Sequence, residues 1–302
     1  MRVVSVLPSA TEIVFALGHG SELVARSEEC DYPPEAVRLP VVMRAKARDA
    51  DRPSREIDTR VRAVRGQGES LYSLDVDLLQ RLRPDVLLTQ DLCSVCSVTD
   101  EEVRVACGKA GVAPRIVSLS PRTLSEVWES VRAVGEALND PRAGRELADR
   151  LRSRSRGSAA APDRPRVAVI EWVDPPILAG LWTPDIVRAA GGEPVGPEPG
   201  AAGHRTRWED LARERLDLAI VSPCSFSVPR TLRELEEPGV RRGVGRLRPR
   251  LGLHVADEAY FSRPGPRLAD GVDLVRDLLA GGPGAGPMPV TALPTTAGGS
   301  PA

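Results

Sequence analysis

One stretch divides this chain. From Thr123 to Arg156 apolar residues recur at helical spacing (Leu124, Val127, Val131, Val134 and Leu138, then Leu147 and Leu151), with no strand-like run among them. On either side, short runs rich in Val, Ile and Leu alternate with amphipathic stretches. Arg2–Leu7, Glu22–Arg26, Asp85–Thr89 and Arg115–Leu119 precede it; Arg166–Ile170, Leu216–Ser222 and Leu253–Ala256 follow it. Such alternation predicts mostly parallel sheets covered by helices. The chain has 302 residues, more than one core usually takes. The expected architecture is α/β, with two Rossmann-like lobes over 1–121 and 161–280 joined by a long helical segment over 122–160. The Asn139-Asp140-Pro141 interruption leaves two readings of that segment: two ordinary helices, or one rigid helix joining the lobes. Residues 281–302 are rich in Gly, Pro, Thr and Ala and predict a disordered tail.

Composition excludes some functions. The net charge is −1 and the arginines are matched by acids, so there is no case for a nucleic-acid surface. No apolar run approaches the roughly 18 residues of a membrane span. The run from Met1 to Leu7 is ended by Pro8, too soon for a secretory core. A cytoplasmic location is therefore expected. There, five cysteines favour free thiols, metal binding or redox chemistry over structural disulfides.

In open α/β sheets ligands bind beyond the carboxyl ends of the strands, so the loops there carry the candidate site. The loop Gln90–Thr99 follows the strand Asp85–Thr89 and holds Asp91, Cys93 and Cys96. Cys30 follows the second strand, and Cys224 follows the strand ending at Ser222. A C-x-x-C alone supplies two metal ligands; Cys30 makes three and Cys224 could make four. That set suits zinc, or an iron–sulfur cluster with one open iron. A redox pair, unrelated buried thiols, or a thiolate on the metal of a bound macrocycle are the alternatives. Ser9 and Thr11 open the first helix, with Ser9 and Glu12 spaced as a capping box. Its free N–H groups offer either a ligand contact or an ordinary cap. Aromatic residues are only 3% of the chain, so their placement carries weight. Tyr32, Trp172, Trp182, Tyr260 and Phe261 all fall in expected loops or element ends. Flat walls suit a planar macrocycle or an aromatic substrate, and lobe packing is the alternative. Trp128, Trp208 and Cys107 read as core. Glu28, Asp31, Asp91 and Glu171 could act as acid or base groups, and Arg263 could pair a ligand carboxylate or phosphate through its fork. No Ser-His-Asp pattern, P-loop or G-x-G-x-x-G after a strand is present.

Four motifs carry a resemblance: Val4-Ser5-Val6-Leu7-Pro8-Ser9-Ala10-Thr11-Glu12, Asp31-Tyr32-Pro33-Pro34, Leu82-Arg83-Pro84-Asp85-Val86-Leu87 and Ser262-Arg263-Pro264-Gly265-Pro266-Arg267. With them the chain resembles the helical-backbone substrate-binding proteins of ABC importers, in their cobalamin-binding branch, from Arg2 to Leu279. The resemblance implies a ligand cleft between the lobes for a cobalamin or other corrinoid, heme or metal chelate. It also implies an ABC permease as partner if the chain is exported, with an acid near Glu12 docking on importer arginines. The cysteines depart from that pattern. They support a second reading, an enzyme on the same fold using a metal or iron–sulfur centre on Cys30, Cys93 and Cys96, in specialised metabolism.

Overall fold

A computed structural model describes residues 1–46, 52–67, 70–90, 98–157, 163–284 and 286–293. The chain forms two compact units. The first comprises Met1–Arg52, Glu56–Pro121 and Ser125–Ser153; the second comprises Pro53–Arg55, Arg122–Leu124 and Arg154 onward.

The first unit is a six-stranded sheet with helices. Its elements are β1 (Val3–Ser5), α1 (Pro8–Ala16), β2 (Leu23–Ser27), β3 (Val41–Ala45), α2 (Ser54–Gly66), β4 (Tyr72–Leu74), α3 (Val76–Leu82), β5 (Val86–Thr89), α4 (Asp100–Ala110), β6 (Arg115–Ser118), α5 (Leu124–Ala137) and α6 (Pro141–Arg154). The strand order is β4-β3-β2-β1-β5-β6, parallel except for the β3–β4 pair. β1 and β5 are buried along their whole length, as continuous apolar runs in a parallel sheet must be. Val4, Val42, Leu79, Leu87 and Val103 meet in one core, each burial stabilising the fold by about 1.5–3 kcal/mol. The chain runs outward from β1 through β2 and β3, then crosses back to β5. The strand order therefore reverses between β1 and β5, the position where open sheets bind ligands.

The second unit contains β7 (Arg166–Val173), β8 (Pro176–Leu178), α7 (Thr183–Ala189), β9 (Glu193–Pro194), β10 (His204–Arg205), α8 (Trp208–Leu211), β11 (Leu218–Val221), α9 (Val228–Leu235), α10 (Pro238–Val244), β12 (Leu253–Ala256), α11 (Leu268–Leu279) and β13 (Val290–Leu293). Its order is β10-β8-β7-β11-β12-β13, with β9 beside the start of β7. β7, β11 and β12 are parallel; β8 turns back on β7, and β13 runs antiparallel to β12. Ile170, Trp208, Leu211, Val221, Val240 and Val255 form its core.

Several expectations change here. The strandless segment is two helices, not one rigid rod. Asn139 takes a left-handed φ of 59° and the Asp140 carboxylate caps the Ala143 N–H at 3.0 Å, so the chain reverses before Pro141. The helices then pack antiparallel, with Arg132 on Asp149 at 2.8 Å and Arg152 on Glu129 at 2.7 Å. The capping box at Ser9 and Glu12 is absent: Pro8 sits in the first turn and Leu7 occupies the cap without a side-chain bond. A capping box forms instead at Thr99 and Glu102. β4 is followed at once by α3, whose Asp75 cap accepts from the Leu78 N–H at 2.8 Å. The expected tail contributes β13, whose register pairs Leu253 with Leu293. Trp128, Trp208 and Cys107 are buried core, and burial pushes the Cys107 thiol pKa up.

Candidate ligand-binding site

At the carboxyl edge of the first unit, a buried polar knot sets the loops. Ser5 closes β1, and its hydroxyl donates to the Leu7 carbonyl at 2.9 Å. The Thr11 hydroxyl lies 2.9 Å from Ser5 Oγ, 3.1 Å from Cys30 Sγ and 3.3 Å from the Leu7 carbonyl, so its one proton is shared among close acceptors. Ser5, Thr11 and Cys30 are all fully buried, and Ser9 nearly so. Thr11 and Ser9 therefore belong to the framework that ties α1 to the loop after β2. Arg26 fixes the same loop through Nη1 to the Ser27 carbonyl at 2.9 Å and Nη2 to the Val37 carbonyl at 3.0 Å. This frame presents Tyr32, which is 45% exposed and precedes a cis peptide bond to Pro33. On the other side of the β1–β5 switch point, the Thr89 hydroxyl is buried at the end of β5 with no hydrogen-bond partner among the described residues. Asp91, Cys93 and Cys96 lie outside the described residues.

At the corresponding edge of the second unit the aromatic residues divide into two sets. Trp182, Tyr260 and Phe261 are internal. The Trp182 indole donates to the Phe261 carbonyl at 2.5 Å, and the Tyr260 hydroxyl donates to the Met288 carbonyl at 2.9 Å. Desolvation holds the Tyr260 phenol above its usual pKa. These three rings support the loop before α11. Trp172 differs: it is half-buried, near the end of β7, and its ring meets Phe226 at 5.2 Å between centroids and 57° between planes. The Arg230 guanidinium lies over the Phe226 ring at 3.9 Å, within cation–π range. The Trp172 indole nitrogen is covered and has no hydrogen-bond partner among the described residues. A covered N–H of this kind is costly unless something accepts from it.

The loop after β11 is held against this pair. Ser222 and Cys224 donate backbone N–H groups to the Ile170 and Glu171 carbonyls at 2.9 and 3.1 Å. Ser225 is exposed and left-handed, with φ 64°. Its N–H donates to Glu258 Oε2 at 2.5 Å. Glu258 Oε1 accepts from Arg263 Nη2 at 2.6 Å and Nε at 3.1 Å, in a pair whose side chains are each 13% exposed. The Glu171 carboxylate packs against Gly203, where a Cβ would lie 2.0 Å from Oε1. Cys224 is partly exposed, with Ser225 Oγ 3.8 Å from its sulfur.

Of the residues expected from sequence, Tyr32, Trp172, Glu171 and Arg263 stand at a strand edge as surface or half-buried groups. Ser9, Thr11, Trp182, Tyr260 and Phe261 are framework. Phe226, Arg230, Ser225 and Glu258 join the site without having been expected. Phe226 precedes the cap of α9 and Arg230 stands in its first turn, four residues on, a cation–aromatic spacing that marks the pair. Among the described residues no group of three or more His, Cys, Asp or Glu side chains is arranged to hold a metal ion, and no helix is long and apolar enough to cross a membrane.

No family model matches the chain. It is 25% identical over 281 residues, 88% of its length and 84% of the relative's, to the vitamin B12-binding protein of Pectobacterium carotovorum. It is 22% identical over 196 residues to the vitamin B12-binding protein of Vibrio cholerae, covering 63% of this chain and 59% of that one. The chain thus spans less than two thirds of the Vibrio relative. Among solved structures, a periplasmic heme binding protein from Pseudomonas aeruginosa matches with a TM-score of 0.68 and 20% identity, covering 98% of this chain and 99% of that one. The periplasmic vitamin B12 binding protein of Vibrio cholerae matches with a TM-score of 0.57 and 18% identity, covering 92% and 96%. The chain has the two-lobed fold of importer substrate-binding proteins. The expected cytoplasmic location is overturned, because the solved structures with this fold are periplasmic binding proteins, which points to the periplasm. The first residues form β1 at the centre of a sheet, so they report the fold and not the compartment. Nothing in the reported matches supports the enzyme reading, an iron–sulfur cluster or zinc.

Proposed function

We propose that this chain is the ligand-capturing component of an importer for a tetrapyrrole-class ligand, a corrinoid such as cobalamin before heme, working in the periplasm with a separate ABC permease. The observation that carries this reading is the Trp172–Phe226 pair with Arg230 stacked on it, at the carboxyl edge of a sheet in this fold. The half-buried Trp172 indole, braced from behind by the buried Phe226 ring, offers an aromatic surface that suits a macrocycle face. Tyr32 is a second exposed ring on a fixed loop. The vitamin B12-binding relatives supply the preference for a corrinoid.

The test is an absorption titration of the purified chain with cyanocobalamin and, separately, with hemin. Saturable binding of cyanocobalamin that is lost in Trp172→Ala supports the reading. Absence of saturable binding by both, with a folded protein, refutes it.

A further inference from the structure

Glu258 serves two partners at once. One oxygen takes both Nε and Nη2 of Arg263, and the other takes the N–H of the left-handed Ser225. The acid therefore binds the loop after β12 to the loop after β11. Asp257 stands beside it, its carboxylate accepting the Ala259 N–H at 3.0 Å. Arg263 reads in isolation as a receptor for a ligand carboxylate. In the structure its charge is met by an acid in a nearly water-free pair.

We propose that Glu258 is a specificity-determining residue that selects a macrocycle rimmed with neutral amides over one bearing carboxylates. The inference rests on the reading of the chain as a tetrapyrrole binder. A ligand carboxylate at this edge would find the Arg263 guanidinium already taken by Glu258, with Asp257 leaving the group one negative charge in excess, so it gains no cation and meets like charge. A primary amide fits both faces of the pair, donating its N–H to the acid and accepting from the guanidinium. Arg230 also stands at this edge, but its guanidinium lies over the Phe226 ring, 3.9 Å from the centroid.

The experiment compares three probes on the unaltered protein and on Glu258→Gln: cyanocobalamin, hemin, and the dimethyl ester of hemin, whose carboxylates are masked. Gln keeps an oxygen for the Ser225 N–H and removes the negative charge. The unaltered protein is expected to bind the ester at least about tenfold more tightly than hemin. Glu258→Gln is expected to close that gap by raising hemin affinity about tenfold, while cyanocobalamin, whose amide loses its acid acceptor, binds more weakly. A merely structural role would weaken all three together. Equal affinity for hemin and its ester on the unaltered protein overturns the proposal without any variant having to fold. So does a folded Glu258→Gln whose hemin affinity is unchanged. Failure of all three probes to bind the unaltered protein is a different result, and removes the tetrapyrrole reading itself.

Discussion

The contact of α5 with α6 predicts that one substitution, made at two glycines, changes stability in opposite directions. A Cβ on Gly135 would stand 2.7 Å from Gly144 Cα, 2.9 Å from the Asp140 carbonyl oxygen and 3.0 Å from Gly144 N. All three are backbone atoms, so no side chain can swing aside. Gly135→Ala gains about 1 kcal/mol of helix propensity. Because only backbone would have to yield, the overpacking cost falls at the upper end of its range, about 2–3 kcal/mol, and here the helices are also tied by the Arg132–Asp149 and Arg152–Glu129 pairs. The net expectation is a loss of about 1–2 kcal/mol, or about 5- to 30-fold in the local opening equilibrium. Gly108 lies on the exposed face of α4 with nothing within 4 Å of its Cβ position. Gly108→Ala keeps the propensity gain alone and should stabilise by about 0.5–1 kcal/mol. Hydrogen exchange read by mass spectrometry resolves the two, because protection is measured for peptides covering 124–154 and 100–110 separately. Protection of the α5–α6 peptide that is unchanged or raised in Gly135→Ala would refute the close-packing argument.

Other consequences are equally direct. His19 Nδ1 lies 3.1 Å from Glu22 and Nε2 lies 3.3 Å from Asp140, and the Glu22 hydrogen bond is the main cause that raises its pKa. Because the folded pKa is raised, this contribution is complete below the unfolded value of about 6.5 and is lost as pH rises through the folded value. Exchange at the 139–141 turn should therefore quicken, beyond its intrinsic pH trend, as pH rises above about 6.5 and through the raised folded value, and His19→Gln should remove that excess. Under native conditions a thiol reagent should modify Cys224 well before Cys30 or Cys107, as peptide mass mapping would show; early loss of Cys30 would contradict its burial beneath Thr11. Trp172→Ala should weaken cyanocobalamin binding by roughly 30-fold or more with little change in melting temperature. Trp182→Ala, by contrast, should cost about 3–5 kcal/mol of stability, because it empties a buried site and leaves the Phe261 carbonyl without its donor. Melting curves and titrations on the same samples separate the two.

The sheets were legible because burial on both faces leaves a plain mark: Val3, Val4, Val86, Leu87 and Leu88 read as strands since nothing polar is tolerated there. The turn between α5 and α6 was harder to read. Apolar spacing continues on both sides of it, and only the left-handed Asn139 shows that the chain reverses. β13 was invisible for a different reason. Pairing to β12 supplies its order, while its own composition is that of a tail. The aromatics show where sequence reasoning about a site stops. Trp172, Trp182, Tyr260 and Phe261 share one address, the carboxyl edge of the second sheet, and chain position cannot say which way each ring turns.

That division of rings follows from the needs of a rigid binding edge. A wall that meets a ligand must be held by something that does not. Tyr260 and Trp182 spend their polar atoms on the Met288 and Phe261 carbonyls, which fixes the loop carrying Glu258 and Arg263. Glu258 then reaches across to Ser225 and fixes the loop carrying Phe226, and Phe226 in turn positions Trp172. Each step is a hydrogen bond or ring contact between neighbouring strand ends, so the edge is ordered before any ligand arrives. An edge ordered in this way loses little freedom on binding, and affinity gains what ordering would otherwise have cost. The same chain of contacts explains why the substitution that tests selectivity is Glu258→Gln and not Glu258→Ala. The amide oxygen keeps the link to Ser225, so the wall stays tied to α9, while the amide nitrogen, itself a donor, gives up Arg263 and leaves that guanidinium open to a ligand carboxylate.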